Sequence, residues 1–225
     1  MARERPDTVN LALCLVFAAE VHRRRREVRE TGEYAKAAIA VACEQGFPIY
    51  LAWGTVLQGW EMAERGNPAE GIARIHQGLT AYAATGASLG RPNLLAMLAE
   101  ACGKAGKPEA GVDYLAEGLD FAHDTGEIID GAALHRLKGE LILQISPQRE
   151  DEALACFQKA TEVARHQGAR SLELQATLAL ARLWRHQGKP DSAREILLPI
   201  HRTFTEGFDL SDWNEAKVEL ELLIA

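Results

Sequence analysis

Glu100 and Glu140 lie forty residues apart and come nearest in this sequence to a paired-carboxylate arrangement. Such a pair does general acid–base work only when its environment separates the two pKa values and keeps water out. Arg136 and Arg182 fall at related positions, and guanidinium groups nearby would hold both carboxylates ionised. Glu100, Arg136, Glu140 and Arg182 therefore read as an alternating charged ladder. It is either a self-paired, solvated face or a polar groove that recognises a partner, ahead of any catalytic pair. Trp53 and Trp60, seven apart, share one helical face. They serve either as packing between neighbouring helices or as aromatic anchors of a binding surface. The basic run Arg23 to Arg26 is surrounded by Glu20, Glu27 and Glu30. Pairing at i,i+4 on a solvated helix end accounts for it, with a phosphate or acidic partner as the alternative. His166 and His186 recur in Arg-His-Gln-Gly, at expected helix C-termini where a cation complements the dipole. The sequence has no HExxH, no Ser/His/Asp order and no GxxxxGK[ST] loop. Cys14, Cys43, Cys102 and Cys156 are far apart, without CxxC or a nearby His at ligand spacing, and read as buried small hydrophobes in a reducing compartment. The expectation is no catalytic residue, no cofactor and no metal.

What would position these residues is a repeat. The chain has 225 residues, is 47% hydrophobic and only 6% aromatic, and is rich in helix-forming alanine, leucine, glutamate and arginine. Gly66-Asn67-Pro68 and Gly106-Lys107-Pro108 are 40 apart, and Gly188-Lys189-Pro190 follows 82 later, two periods of 41. A second series, Gly46, Gly86, Gly126, Gly168 and Gly207, steps by 40, 40, 42 and 39. Ser146-Pro147-Gln148-Arg149 falls where the missing turn belongs. A glycine closes each first helix in a left-handed cap, and a proline two residues on opens the second. First helices are predicted at 8–24, 48–65, 91–105, 129–145 and 170–187, second helices at 27–45, 68–85, 108–125, 149–167 and 190–205. A terminal helix, Ser211 to Ile224, opens on a capping box of Ser211 with Glu215 one place late. No strand signal appears.

Small residues recur where paired helices must approach: Gly59, Ala99, Gly139 and Ala181 in the first helices, Gly71, Gly111, Ala153 and Ala193 in the second. This pattern resembles tetratricopeptide (TPR) repeats, with units longer than that family's 34 residues. The fold class implied is all-α: a right-handed TPR-like α-solenoid of about five antiparallel helix pairs with a C-terminal capping helix. It is expected as one repeat domain over 1–225, with repeats at 8–46, 47–86, 87–126, 127–168 and 169–207 and the terminal helix at 210–224. First helices would line a concave groove. Columns one repeat apart then read Glu20, Trp60, Glu100, Glu140, Arg182 and, earlier on each helix, Trp53, Asn93, Ala133, Gln175. The expected partner-binding residues are Trp53, Trp60, Asn93, Glu100, Arg136, Glu140 and Arg182.

A wider resemblance rests on Trp53-Gly54-Thr55-Val56-Leu57-Gln58-Gly59-Trp60, Gly90-Arg91-Pro92, the stretch from Ala99 to Gly106, His135-Arg136-Leu137-Lys138-Gly139-Glu140-Leu141, Ala181-Arg182-Leu183-Trp184-Arg185 and Phe204 to Leu210. These look like the C-terminal helical-repeat region of bacterial class III adenylate/guanylate cyclase–ATPase (STAND/AAA-like) signalling proteins. The chain has neither a phosphate loop nor a cyclase segment, so the resemblance carries no enzymatic activity over to it. It implies a non-catalytic interaction scaffold, the sensor or partner-docking region of such a system. Three alternatives stay open: a small-ligand sensor, a homo-oligomerisation module using an uncapped first repeat with Leu11, Leu13, Leu15 and Phe17 exposed, and, ranked last, an enzyme using Glu100 and Glu140. The partner expected is a protein or peptide in the groove, with a homodimer possible. A net charge of −7 disfavours nucleic acid. The apolar run Leu11 to Ala19 falls far short of a membrane span of about 20 residues. Glu4 and Asp7 interrupt any basic leader, so a cytoplasmic chain without an export signal or membrane association is expected. Residues 201–225 carry six acids against Arg202 and Lys217, an acidity expected to keep the terminal cap soluble.

Overall fold

The computed structural model describes residues 7–224; Glu4, and with it half of the interrupted leader, lies outside them. Among the described residues there are eleven helices and no strand. They are α1 (Thr8–Arg24), α2 (Val28–Gln45), α3 (Pro48–Glu64), α4 (Pro68–Ala84), α5 (Arg91–Lys104), α6 (Pro108–Thr125), α7 (Gly131–Ile145), α8 (Glu150–His166), α9 (Arg170–His186), α10 (Pro190–His201) and α11 (Ser211–Leu222). Ten of the eleven ends fall within about two residues of where the glycine and proline punctuation puts them. The exception is α10, expected to reach 205. It stops at His201, beyond which Thr203 N–H and Oγ1 both donate back to Ile200 O.

All five glycines of the second series take positive φ, from 64° to 76°. So do the turn glycines Gly66 (90°), Gly106 (69°) and Gly188 (72°). The turn after α3 closes with Gly66 N–H donating to Ala63 O and Asn67 N–H to Met62 O. The turns after α5 and α9 repeat that pair of bonds, Gly106 to Gly103 with Lys107 to Cys102, and Gly188 to Arg185 with Lys189 to Trp184. Bonds of this kind satisfy carbonyls that the helix end orphans. The turn after α1 makes the same pair, Arg26 to Arg23 and Glu27 to His22, although it has no glycine. Arg26, forty residues before Gly66, takes the left-handed conformation instead, at φ 60°. After α7 the chain departs: Ser146 is extended, and Arg149 N–H donates to Ser146 O.

The helices group into two compact units that meet in sequence at Lys107 and Pro108. In the first unit each helix packs on its successor, and α1 with α3, and α3 with α5, also touch. The first helices thus form one layer. The core of this unit includes Val16, Leu57, Ile75, Leu94, Met97 and Leu98. The crossing of α3 and α4 is the tightest. A Cβ added at Gly59 would meet Gly71 O at 2.7 Å, and one at Gly71 would meet Gly59 O at 2.5 Å. In the second unit α6 to α11 pack successively, and α7 with α9, and α9 with α11, touch in the same alternate manner. Here Gly139 makes room for the Phe157 ring, which a Cβ would meet at 2.5 Å. Leu174, Leu178, Leu197 and Ile200 bury the inner side of α11 through Ala216, Leu220 and Leu223.

Two local expectations are corrected. The capping box at α11 does not form: Leu210 is the N-cap, no side chain caps the helix, and Ser211 Oγ bonds the Glu215 carboxylate at 3.1 Å from inside the first turn. The one-residue displacement of Glu215 from the motif is the reason. The cysteines are not uniformly buried either. Cys102 is buried and Cys156 half-buried, whereas Cys14 and Cys43 are exposed on the outward sides of α1 and α2.

Candidate functional site

The column Glu20, Trp60, Glu100 becomes a physical cluster in the first unit, because α1, α3 and α5 lie side by side. Arg23, from the last turn of α1, binds Glu20 with two nitrogens, Nε to Oε2 at 3.1 Å and Nη2 to Oε1 at 2.7 Å. Its Nη2 also donates to Asn93 Oδ1 at 2.8 Å, and Asn93 Nδ2 donates back to Glu20 Oε1 at 2.9 Å. Arg24 Nε reaches Glu20 from the solvent side at 3.1 Å. Trp60 Nε1 donates to Glu100 Oε2 at 2.5 Å, the Arg23 guanidinium lies 5.9 Å from the Trp60 ring centroid, and Arg23 Nη1 stands 3.9 Å from Glu100 Oε1. Glu20, Arg23, Asn93 and Trp60 are all buried, and the Glu100 side chain, 22% exposed, is the member that stays open to solvent.

This arrangement fixes the charge state of Glu20. Burial pushes its carboxyl up, but the Arg23 and Arg24 charges and the bonds from Arg23 and Asn93 outweigh that and hold it at about 2. A carboxylate held so low stays ionised at neutral pH and is unsuited to act as a general acid there. What the cluster does offer is a rigid edge of α5 with one carboxylate, Glu100, whose partners come from two other helices.

The expected site residues divide between the two units. Asn93, Trp60 and Glu100 belong to the cluster just described. Trp60 is only 3% exposed, so it is a packed, hydrogen-bonded member and not an exposed aromatic anchor. Trp53 shares its helical face but has other neighbours. It lies 6.2 Å from the Phe17 ring and edge-on to Tyr82 at 5.9 Å, with Gly90 beneath it. Its indole N–H is buried without a hydrogen-bond partner. In the second unit Arg136 Nη1 pairs with Glu140 Oε1 at 2.6 Å along α7. Arg182 does not continue the ladder to Glu140. It turns to α11 instead, 2.9 Å from Glu215 and 3.8 Å from Glu219. Arg185 meets the buried Glu219 at 2.5 Å, and Gln175 donates to Asp212 at 2.5 Å. Three of the six C-terminal acids thus seat the terminal helix on α9, while Glu206, Asp209 and Glu221 stay exposed.

Sequence reasoning passed over Glu20 and Arg23 as site residues. Glu20 shares a column with Trp60 and Glu100 at the full repeat spacing, and that signal was available. Arg23 sits in a run of four arginines, which reads as a solvated face. The i,i+4 pairing expected of that run occurs between Arg24 and Glu20, and Arg25 meets Glu27 two residues on, but Glu20 and Arg23 are buried because α5 brings Asn93 against them.

Helix pairs at this spacing, first helices in a layer, small residues at the crossings and left-handed caps at the turns define a TPR-like helical-repeat protein of the α-solenoid class. Solved structures share the fold. BtubC from P. vanneervenii superposes with a TM-score of 0.62 over 94% of this chain and 82% of its own, at 13% identity. A Podosopora anserina protein of nearly identical TPR-like repeats gives 0.57 over 89% and 96%, at 16% identity. No protein-family model matches the sequence. An uncharacterised protein of Rhizobium meliloti (strain 1021) is 32% identical over 128 residues, 57% of this chain, and the match spans 12% of that relative's length. Among the described residues no helix is long and apolar enough to cross a membrane.

Proposed function

We propose that this chain is a non-catalytic interaction module that holds a protein or peptide partner against its first-helix layers. The observation that carries the reading is the Glu20–Arg23–Asn93–Trp60–Glu100 cluster. Five side chains from three helices are locked to one another, and one carboxylate is left facing solvent, an arrangement suited to fixing a partner's donor groups rather than to moving protons. In the second unit the half-open Arg136–Glu140 pair and the exposed Arg182 offer the corresponding polar surface. Trp53 contributes its partly open ring edge beside Phe17.

The cyclase–ATPase resemblance supports a finer reading, in which the module is the sensor or docking region of a bacterial signalling system and works in the cytoplasm. Binding would then bias how consecutive helices pack, a change an attached domain can follow. The test uses the chain as bait in extract of its native host, alongside Glu100→Arg and Arg136→Ala. Both positions are partly open, so the variants should keep their far-UV circular dichroism. The reading expects a discrete partner captured by the native chain and reduced about 10-fold or more by either change. A signalling cyclase or ATPase among the captured proteins supports the finer reading. Capture indifferent to both changes overturns the groove assignment, and substrate turnover by the purified chain overturns the non-catalytic reading.

A further inference from the structure

The outward face of α1 carries a pattern that partner binding in the groove does not account for. Asp7, Asn10, Cys14, Phe17, Val21 and Arg24 follow one another at steps of 3, 4, 3, 4 and 3 residues, and all six are exposed. That alternation is the seam of a coiled-coil helix, the stripe that a partner helix covers. The opposite side of α1 is already occupied, with Ala12, Val16 and Ala19 at most 1% exposed. Phe17 and Val21 are 52% and 55% exposed, and Leu11 beside them is 47% exposed, so the uncovered stripe is apolar along its middle. Its ends are charged with opposite sign: Asp7 caps the start of α1, and Arg24 closes its last turn.

We infer that the stripe is covered by α1 of a second copy of this chain, running antiparallel about a two-fold axis between residues 15 and 16. In that register each pair of facing positions sums to 31. Asp7 faces the second copy's Arg24, Asn10 its Val21, and Cys14 its Phe17. The end charges become attractive pairs, and the helix dipoles oppose each other favourably. A parallel pairing would set Asp7 on Asp7 and Arg24 on Arg24, which costs energy at both ends. The two-fold form is also the commonest closed association, because one self-complementary patch suffices. The Asn10 amide is held by Asp7 and does not oppose burial as an unsatisfied donor. The stripe borders the groove at two points, where Arg24 Nε bonds Glu20 at 3.1 Å and Phe17 lies 6.2 Å from the Trp53 ring, but its readout is the oligomeric state and not partner capture, so the two readings can fail separately.

Sedimentation velocity of the full chain, from about 1 to about 100 μM, is the first measurement. A reversible dimer is expected, with Phe17→Arg weakening it about 100-fold or more at unchanged helical content. The register is read by disulfide trapping. With Cys14 and Cys43 replaced by serine, the double variant Asn10→Cys/Val21→Cys should give a covalent dimer on mild oxidation. Peptide mapping should find residue 10 of one chain joined to residue 21 of the other, and Asn10→Cys alone should not cross-link. A native chain that stays monomeric throughout, a dimer that survives Phe17→Arg, or a linkage of residue 10 to residue 10 each overturns the proposal.

Discussion

Glu20 is a charge held where water is scarce, and its energetics can be followed group by group. Alone, burial would favour the neutral acid; Arg23, Arg24 and Asn93 reverse that and hold the carboxyl at about 2, against an ordinary 4.5. A folded-state pKa below the unfolded value gives stability that is fully present above about pH 4.5 and is lost as pH falls toward 2. The contribution is on the order of 3 kcal/mol. Denaturant melts of the native chain and of Glu20→Ala should therefore differ by about that much at pH 7 and converge near pH 2, because the variant strands Arg23 without its main partner. Melts that stay parallel across that range would show that the cluster is not what holds α1 to α5. Arg26 is the opposite case, a residue in a conformation that suits it poorly. Its φ of 60° is the value that glycine supplies at the equivalent turns. Arg26→Gly relieves that strain, and a gain of about 1 kcal/mol in the midpoint analysis is expected. Neither residue was legible by type. A glycine period shows where turns fall, but not that one of them is made without glycine, and an arginine run conceals the member that is buried.

The elements were far more legible, because their limits depend on local chemistry. Proline opens α3, α4 and α10 in the first turn, and left-handed glycines follow the helices, so the punctuation alone placed nearly every boundary. The end of α10 is the exception: Gly207 marks the end of the unit, but the chain has already turned back at Thr203, whose N–H and Oγ1 donate to Ile200 O. The shared small-residue positions also translate directly into packing. Gly59 and Gly71 each stand where the other's carbonyl oxygen forbids a side chain, so α3 and α4 cross backbone to backbone. Gly59→Ala has no flexible neighbour to displace and forces the two helices apart. A loss of about 2–3 kcal/mol is expected in chemical denaturation, at the upper end of what overpacking costs. Gly32→Ala is the control. Its added Cβ would meet Glu61 Cγ, Cδ and Oε1 at 2.9 Å, a flexible side chain and not backbone, and the substitution should be nearly neutral. Equal effects of the two changes would mean that helix propensity, and not the crossing, governs the result.

At the scale of the molecule, a period of about 40 residues established the repeat architecture, because each helix pair must bury its apolar face on the next. The period says which residues share a column; it does not say which of them touch. Arg182 belongs to the column of Glu140 yet pairs with Glu215 and Glu219, because α11 supplies two carboxylates within closer reach. Half of the acids in the C-terminal segment stay exposed, and the other half attach the last helix. That attachment bears on autonomy. In the second unit the buried clusters around Leu174 and Leu197, and around Phe157 and Leu180, draw their buried members from α7 to α11. By contrast, α6 contributes only Gly111, Leu115 and Gly118 as buried residues. A fragment of residues 108–225 should therefore fold by itself, with a single cooperative urea transition carried by α7 to α11. Within it, hydrogen exchange should be fastest along α6, which reaches these clusters only through the partly buried Val112. A broad, non-cooperative melt, or protection of α6 equal to that of α9, would show that the clusters do not suffice and that the chain folds only as a whole.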